Sequence, residues 1–130
     1  MSTKLSGVRV LVLDDDEDAR ELAKTILSLA GAKVRVVASV AELLTCFDDY
    51  CPHVVVSDIS MPEVSGLDMV KAMRERRAED GGHTAVVALT ALARNEQKQQ
   101  GLKDGFDRYL TKPVNAQTLV DTVASVAEAA

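Results

Sequence analysis

A chain of 130 residues that is 47% hydrophobic is long enough for one compact domain with its own core and too apolar for intrinsic disorder. A formal net charge of −5, without any run of Lys or Arg, argues against direct nucleic-acid binding. The apolar stretches fall far short of a membrane span, and the opening Met1-Ser2-Thr3-Lys4-Leu5-Ser6-Gly7 lacks the apolar centre of a signal peptide, so a cytoplasmic protein without membrane attachment is expected.

Short apolar, β-branched runs alternate with segments of helical period, the pattern of βαβ units and a buried parallel sheet. The first run, Val8–Leu13, leads into the acidic cluster Asp14-Asp15-Asp16-Glu17-Asp18. In the helix that follows, Leu22, Ile26 and Leu29 recur at helical spacing and predict its apolar face, with Gly31 as the stop. A second run, Lys33–Val37, precedes a helix capped by Ser39, with Val40, Leu43, Leu44 and Phe47 facing inward. The third run, His53–Ser57, gives way to Asp58 and the loop Ile59-Ser60-Met61-Pro62. Ser65 caps a third helix whose inner face is Gly66, Met69, Val70 and Met73.

The fourth run, Thr84–Leu89, ends at Thr90. The helix predicted after it, Ala93–Asp104, is polar, with Leu102 as its strong core residue. Gly101 costs it about 1 kcal/mol relative to alanine, so it should be the most exposed and least stable of the five helices. The last run, Arg108–Thr111, meets Lys112-Pro113, and Asn115 caps a final helix lined by Ala116, Leu119, Val120, Val123 and Ala127. With no repeat, low-complexity segment or linker, the chain reads as a single domain over 1–130. Its ordered core should span about residues 8–128. Cys46, Cys51 and His53 have a spacing that matches no common zinc pattern, so the cysteines are expected as buried or half-buried free thiols; His83 is expected in a loop.

Each polar group that follows a run lands at one place. In an open α/β sheet, ligands bind beyond the carboxyl ends of the strands. Asp16, Glu17 and Asp18 complement the dipole at a helix start. Asp14 and Asp15 could do the same, but together with a further acid they form a group that repels itself unless a cation is present, and oxygen ligation favours magnesium or manganese. Asp58 alone could be a capping or turn residue; beside a metal, its carboxylate can attack phosphorus and form an acyl phosphate. The Ser60 carbonyl could face the same cation. Thr90 is either a strand-end threonine or a donor to a phosphoryl oxygen, and Lys112 either a solvated lysine or an ammonium that offsets phosphoryl charge.

These segments together resemble the receiver domain of two-component response regulators. The matching pieces are Val10-Leu11-Val12-Leu13-Asp14-Asp15 with Arg20, Ser57-Asp58-Ile59-Ser60-Met61-Pro62 with Gly66, Ala88-Leu89-Thr90-Ala91, and Gly105-Phe106-Asp107-Arg108-Tyr109-Leu110-Thr111-Lys112-Pro113. The resemblance implies a flavodoxin-like, CheY-like fold: a doubly wound five-stranded parallel sheet in the order 2-1-3-4-5, with five helices. It implies Asp58 as phosphoacceptor, Asp15 as a direct magnesium ligand, Asp14 acting largely through water, and the Ser60 backbone carbonyl as a further ligand. Thr90 and Tyr109 match the switch pair, Lys112 the phosphoryl-binding lysine, and Lys112-Pro113 a bond often cis in the family. Ser60 and Leu92 match the positions that tune hydrolysis.

The implied partners are a histidine kinase or histidine phosphotransfer protein as donor, and an effector on the face of the fourth helix, last strand and last helix. The unphosphorylated protein is expected to be a monomer. It should phosphorylate and slowly dephosphorylate itself without turning over an external metabolite. The family pattern is departed from at Asp104 and in Val114-Asn115-Ala116-Gln117-Thr118-Leu119, which lacks the Phe and Glu of dimerising transcription-factor receivers and looks more like receivers of hybrid sensor kinases. Two rival readings are a magnesium-dependent phosphohydrolase and a binding-only module. The first usually carries an acid two residues past its aspartyl nucleophile, where this chain has Ser60; the second usually loses residues that this chain keeps.

Overall fold

The computed structural model describes residues 4–50, 52–58, 84–90, 107–111 and 115–129. Five strands, β1 (Arg9–Leu13), β2 (Lys33–Val37), β3 (Val54–Asp58), β4 (Ala85–Thr90) and β5 (Arg108–Thr111), form one sheet in the order β2-β1-β3-β4-β5. All four pairings are parallel, as the alternating pattern requires. The described helices are α1 (Glu17–Leu29), α2 (Val40–Tyr50) and α3 (Ala116–Ala129). The expected helices over Gly66–Met73 and Ala93–Asp104 lie outside the described residues.

Alternation along the strands splits the core in two. Val10, Val12, Val54, Val56, Ala85, Val87 and Leu89 pack with α1 and α3 on one face of the sheet. Leu11, Leu13, Val55, Val86 and Ala88 pack on the other, with Val40, Leu43 and Phe47 of α2. The three central strands are thus covered on both sides, which is why they read as unbroken apolar runs. β2 is an edge strand, and Tyr50 partly covers it: its hydroxyl donates to the Lys33 carbonyl at 2.8 Å. The core begins at Leu5, fully buried, whose amide donates to the Ala30 carbonyl at 2.9 Å.

Helix ends follow the local chemistry. The Asp16 side chain accepts from the Asp18 amide at the start of α1. Ser39 Oγ accepts from the Glu42 amide, and the Glu42 carboxylate accepts in turn from the Ala38 amide, a reciprocal cap on α2. Asn115 Oδ1 accepts from the Thr118 amide at α3. Gly31 ends α1 with φ of +99°, and a Cβ there would meet the Ser6 backbone nitrogen at 3.2 Å, so both the backbone angle and the space call for glycine.

One inward face differs from the expectation. Leu22 and Leu29 are 62% and 61% exposed and Ile26 is half-buried, whereas Ala23, Leu27 and Ala30 enter the core. Both triplets have the same helical spacing; the larger side chains made one stand out in the sequence. The valine-covered sheet instead takes the alanines, which let the helix axis approach closely. In α3, Leu119, Val120 and Val123 are buried as expected and Ala127 packs against them, but Ala116 is exposed while Ala124 and Val126 are buried.

Candidate functional site

The sheet register assembles the site. Leu13 pairs with Ser57, so the next residues, Asp14 and Asp58, come level at the carboxyl edge. Asp58 is the last residue of β3 and lies opposite Leu89; Thr90, one residue on, ends β4 opposite Thr111 of β5. Asp58 and Thr90 therefore belong to the strands themselves, each as the last residue, rather than just past the strand end where the sequence pattern placed them. Strand backbone is a firmer mount than loop.

Among the described residues, one group can hold a metal ion: a carboxylate oxygen from each of Asp14, Asp15 and Asp58, all within 4.8 Å of one another. Asp14 and Asp58 are buried, and Asp15 is exposed. Two oxygens on opposite sides of an octahedral magnesium ion stand about 4.2 Å apart. Neighbouring ligands in that octahedron stand about 3.0 Å apart, so a bound cation would draw these three oxygens, which lie within 4.8 Å of one another, closer together, and three hard oxygen donors suit magnesium or manganese. These residues fit the expected cation.

The acid loop is held at several atoms. The Asp14 amide donates to the Val37 carbonyl at 3.3 Å, its Oδ1 accepts from the Asp16 amide at 2.9 Å, and its carbonyl accepts from Arg20 Nη1 at 2.8 Å. Ser57 Oγ donates to the Asp58 carbonyl at 3.1 Å inside the buried strand. Tyr109, in β5 opposite Ala88, is half-buried against the α2-side cluster, and burial pushes its hydroxyl above the ordinary phenol value. The structure thus brings Asp14, Asp15 and Asp58 together, sets Thr90 at the neighbouring strand end, and packs Tyr109 on the sheet. Ser60, Leu92 and Lys112-Pro113 lie outside the described residues, as do Cys51 and His83.

Three roles escaped the sequence reading. In the sequence Arg20 stands out only as part of a motif, because its bond to the acid loop depends on where α1 begins. Asp107 brackets Val86, donating its amide to the Val86 carbonyl and accepting the Val86 amide on Oδ2, both at 2.8 Å; an acid just before a strand was the available signal. His53 Nδ1 accepts from the Arg9 amide at 3.0 Å, tying β1 to β3 at the sheet end away from the acids. Cys46 is a half-buried free thiol, as expected, whose Sγ donates to the Leu43 carbonyl.

Comparison with known proteins gives the same picture. Residues 10–124 match the family model described as the response regulator receiver domain. An uncharacterised 14.6 kDa protein of Leptolyngbya boryana is 39% identical over 119 residues, spanning 92% of this chain and 89% of that protein. Hybrid signal transduction histidine kinase I of Dictyostelium discoideum is 32% identical over 120 residues, which is 88% of this chain but 7% of that much longer protein. The receiver domain of the Francisella response regulator 1452 has the same fold, with a TM-score of 0.86 at 32% identity over 95% of this chain and 98% of that one. No described helix is long and apolar enough to cross a membrane.

Proposed function

Because this chain belongs to the response-regulator receiver family, a signalling module of two-component systems, we propose that it is a switch that takes a phosphoryl group from a partner's phosphohistidine onto Asp58. The observation that carries this reading is the convergence of the Asp14, Asp15 and Asp58 carboxylates within 4.8 Å at the carboxyl edge of the sheet. Asp14, Asp15, Asp58 and the Ser60 backbone carbonyl would hold magnesium, which when bound offsets the negative charge of the phosphoryl oxygens and the carboxylates.

A carboxylate oxygen of Asp58 attacks phosphorus in line, the phosphorus–nitrogen bond of the donor breaks, and the imidazole leaves with the electron pair and takes a proton. The buried mount of Asp58 limits its motion, so the attacking oxygen is oriented before the donor arrives. The Lys112 ammonium offsets charge on the transferring group. In the phosphorylated protein the Thr90 hydroxyl donates to a phosphoryl oxygen, and Tyr109 turns inward from its half-buried position. The face that includes β5 and α3 then changes its affinity for an effector, a population shift between two packings.

The partners in this reading are a histidine kinase or phosphotransfer protein and an effector protein. Residues 1–130 act as a single cytoplasmic receiver domain, monomeric before phosphorylation. Leu92 has no polar side-chain atom with which to orient water and Ser60 offers only a small hydroxyl, so the acyl phosphate hydrolyses slowly, and rapid removal of the signal depends on a partner phosphatase or on back-transfer to histidine.

The test is labelling with acetyl phosphate in magnesium, followed by intact-mass and peptide analysis. One phosphoryl group on Asp58 is expected, abolished in Asp58→Ala and in excess chelator. Robust labelling of the alanine variant would exclude Asp58 as the acceptor. Turnover of small phosphomonoesters would favour a hydrolase instead.

A further inference from the structure

We propose that Arg20 is a positioning residue for the divalent cation: its guanidinium fixes the Asp14–Asp15 peptide and so aims the Asp15 carboxylate. This rests on reading the acid group as a cation site. Arg20 Nη1 donates to the Asp14 carbonyl at 2.8 Å, while the Arg20 amide donates to the Asp16 carbonyl at 3.0 Å in the first turn of α1. Side chains on a helix lean toward its N-terminus, so an arginine at this register reaches back over the turn that carries the acids. The guanidinium makes this a charge-assisted bond, stronger than a neutral one.

The consequence for Asp15 follows from peptide planarity. The Asp14 carbonyl and the Asp15 amide share one plane. Holding that oxygen sets the plane, and with it the direction in which the Asp15 Cα and side chain leave the strand. Asp14 has further anchors, its amide on Val37 and its Oδ1 on the Asp16 amide, and it is buried. Asp15 is the exposed member of the three acids, so its aim depends most on the backbone that delivers it.

A simpler role for Arg20 would be to neutralise the surrounding carboxylates, and the two roles differ in sign. A guanidinium near the site repels a second cation. If charge alone mattered, removing it would tighten magnesium binding; if positioning matters, removing it weakens binding.

The experiment is a calorimetric magnesium titration of the 130-residue chain and its Arg20→Met and Arg20→Lys variants, at a temperature where circular dichroism shows each fully folded. Methionine keeps an apolar stem and removes both charge and donors; lysine keeps the charge but offers a single donor nitrogen in place of the planar guanidinium fork. Arg20→Met is expected to bind magnesium about tenfold more weakly than wild type, as for loss of other groups that orient metal ligands, and Arg20→Lys about threefold more weakly. A merely structural role would lower unfolding stability but leave the dissociation constant of the folded protein unchanged. Binding by Arg20→Met equal to or tighter than wild type overturns the inference. Should Arg20→Met fail to fold, wild-type affinity in Arg20→Lys overturns it. If the wild type itself binds no magnesium, the cation-site reading falls, and this inference with it.

Discussion

Asp15→Asn isolates the mutual repulsion of the acid group. The side chain is exposed, so the change removes a charge without opening a cavity. Two unit charges at this group's outer limit of 4.8 Å repel by about 0.9 kcal/mol at the dielectric constant of water and about 3.5 kcal/mol at an effective value of 20. Asp15 faces solvent, so the lower figure governs its pairs with Asp14 and Asp58, and the metal-free variant should gain about 1–2 kcal/mol. For a domain of this size that is a rise in Tm of about 3–10 °C.

Magnesium should reverse the ranking. A ligand that binds only the native state at a hundred times its dissociation constant adds about 2.7 kcal/mol. The wild type should receive that increment and Asp15→Asn should lose most of it. The assay is thermal and urea unfolding of both proteins at pH 7, in chelator and in magnesium. In chelator, raising the salt to about 1 M shortens the screening length to about 3 Å and should shrink the gap between them. A metal-free Asp15→Asn less stable than wild type, or a gap that ignores salt, would refute the repulsion argument.

Other substitutions test separate parts of the structure. Leu27→Ala should lose about 2–5 kcal/mol in urea unfolding, whereas Leu22→Gln and Leu29→Gln should each stay within about 0.5 kcal/mol, and the reverse ranking would put the other face of α1 in the core. Burial, with a smaller contribution from the Arg9 charge, lowers the His53 pKa, and its Nδ1 accepts a backbone bond only when unprotonated. The folded protein therefore takes up this proton less readily than the unfolded chain. The stabilisation is fully present above the unfolded histidine value, about 6.5, and declines as pH falls from there through the lower folded value. Chemical denaturation across that window should show a slope in the wild type that His53→Asn lacks. Finally, Leu92→Glu should speed decay of the phosphorylated protein in magnesium without moving the label from Asp58, while the wild type decays over minutes or longer; decay within seconds in the wild type would remove the basis for assigning Leu92 that role.

The strands were legible because burial on both sheet faces leaves a one-dimensional trace: Val54-Val55-Val56 cannot be read as an amphipathic surface of either period. The acids were legible because each follows such a trace, and parallel pairing brings like ends together. The inward face of α1 was not, because spacing alone does not rank Leu22-Ile26-Leu29 against Ala23-Leu27-Ala30; closeness of approach to the sheet decides, and that is a tertiary quantity. Arg20, Asp107 and His53 were hidden for a related reason. Each bonds a backbone atom, and backbone atoms leave no mark in the identity of the residue that carries them.

The core residues also set the chemistry, through register. Val10, Leu11 and Val12 pair with Val54, Val55 and Val56, and each neighbouring pair faces alternate sides of the sheet. A slip of one residue between β1 and β3 would turn the valines toward the wrong helices and set Asp58 beside Leu13 rather than Asp14. No acid in the group opposes that slip; repulsion between Asp14 and Asp58 favours separating them. The apolar pairs must therefore supply the free energy that holds two buried carboxylates side by side, and the alternation that directs Val54 and Val56 to α1 and α3 is what holds Asp58 at the strand end beside Asp14. In this fold the residues that carry no chemistry determine the distance over which the chemistry acts.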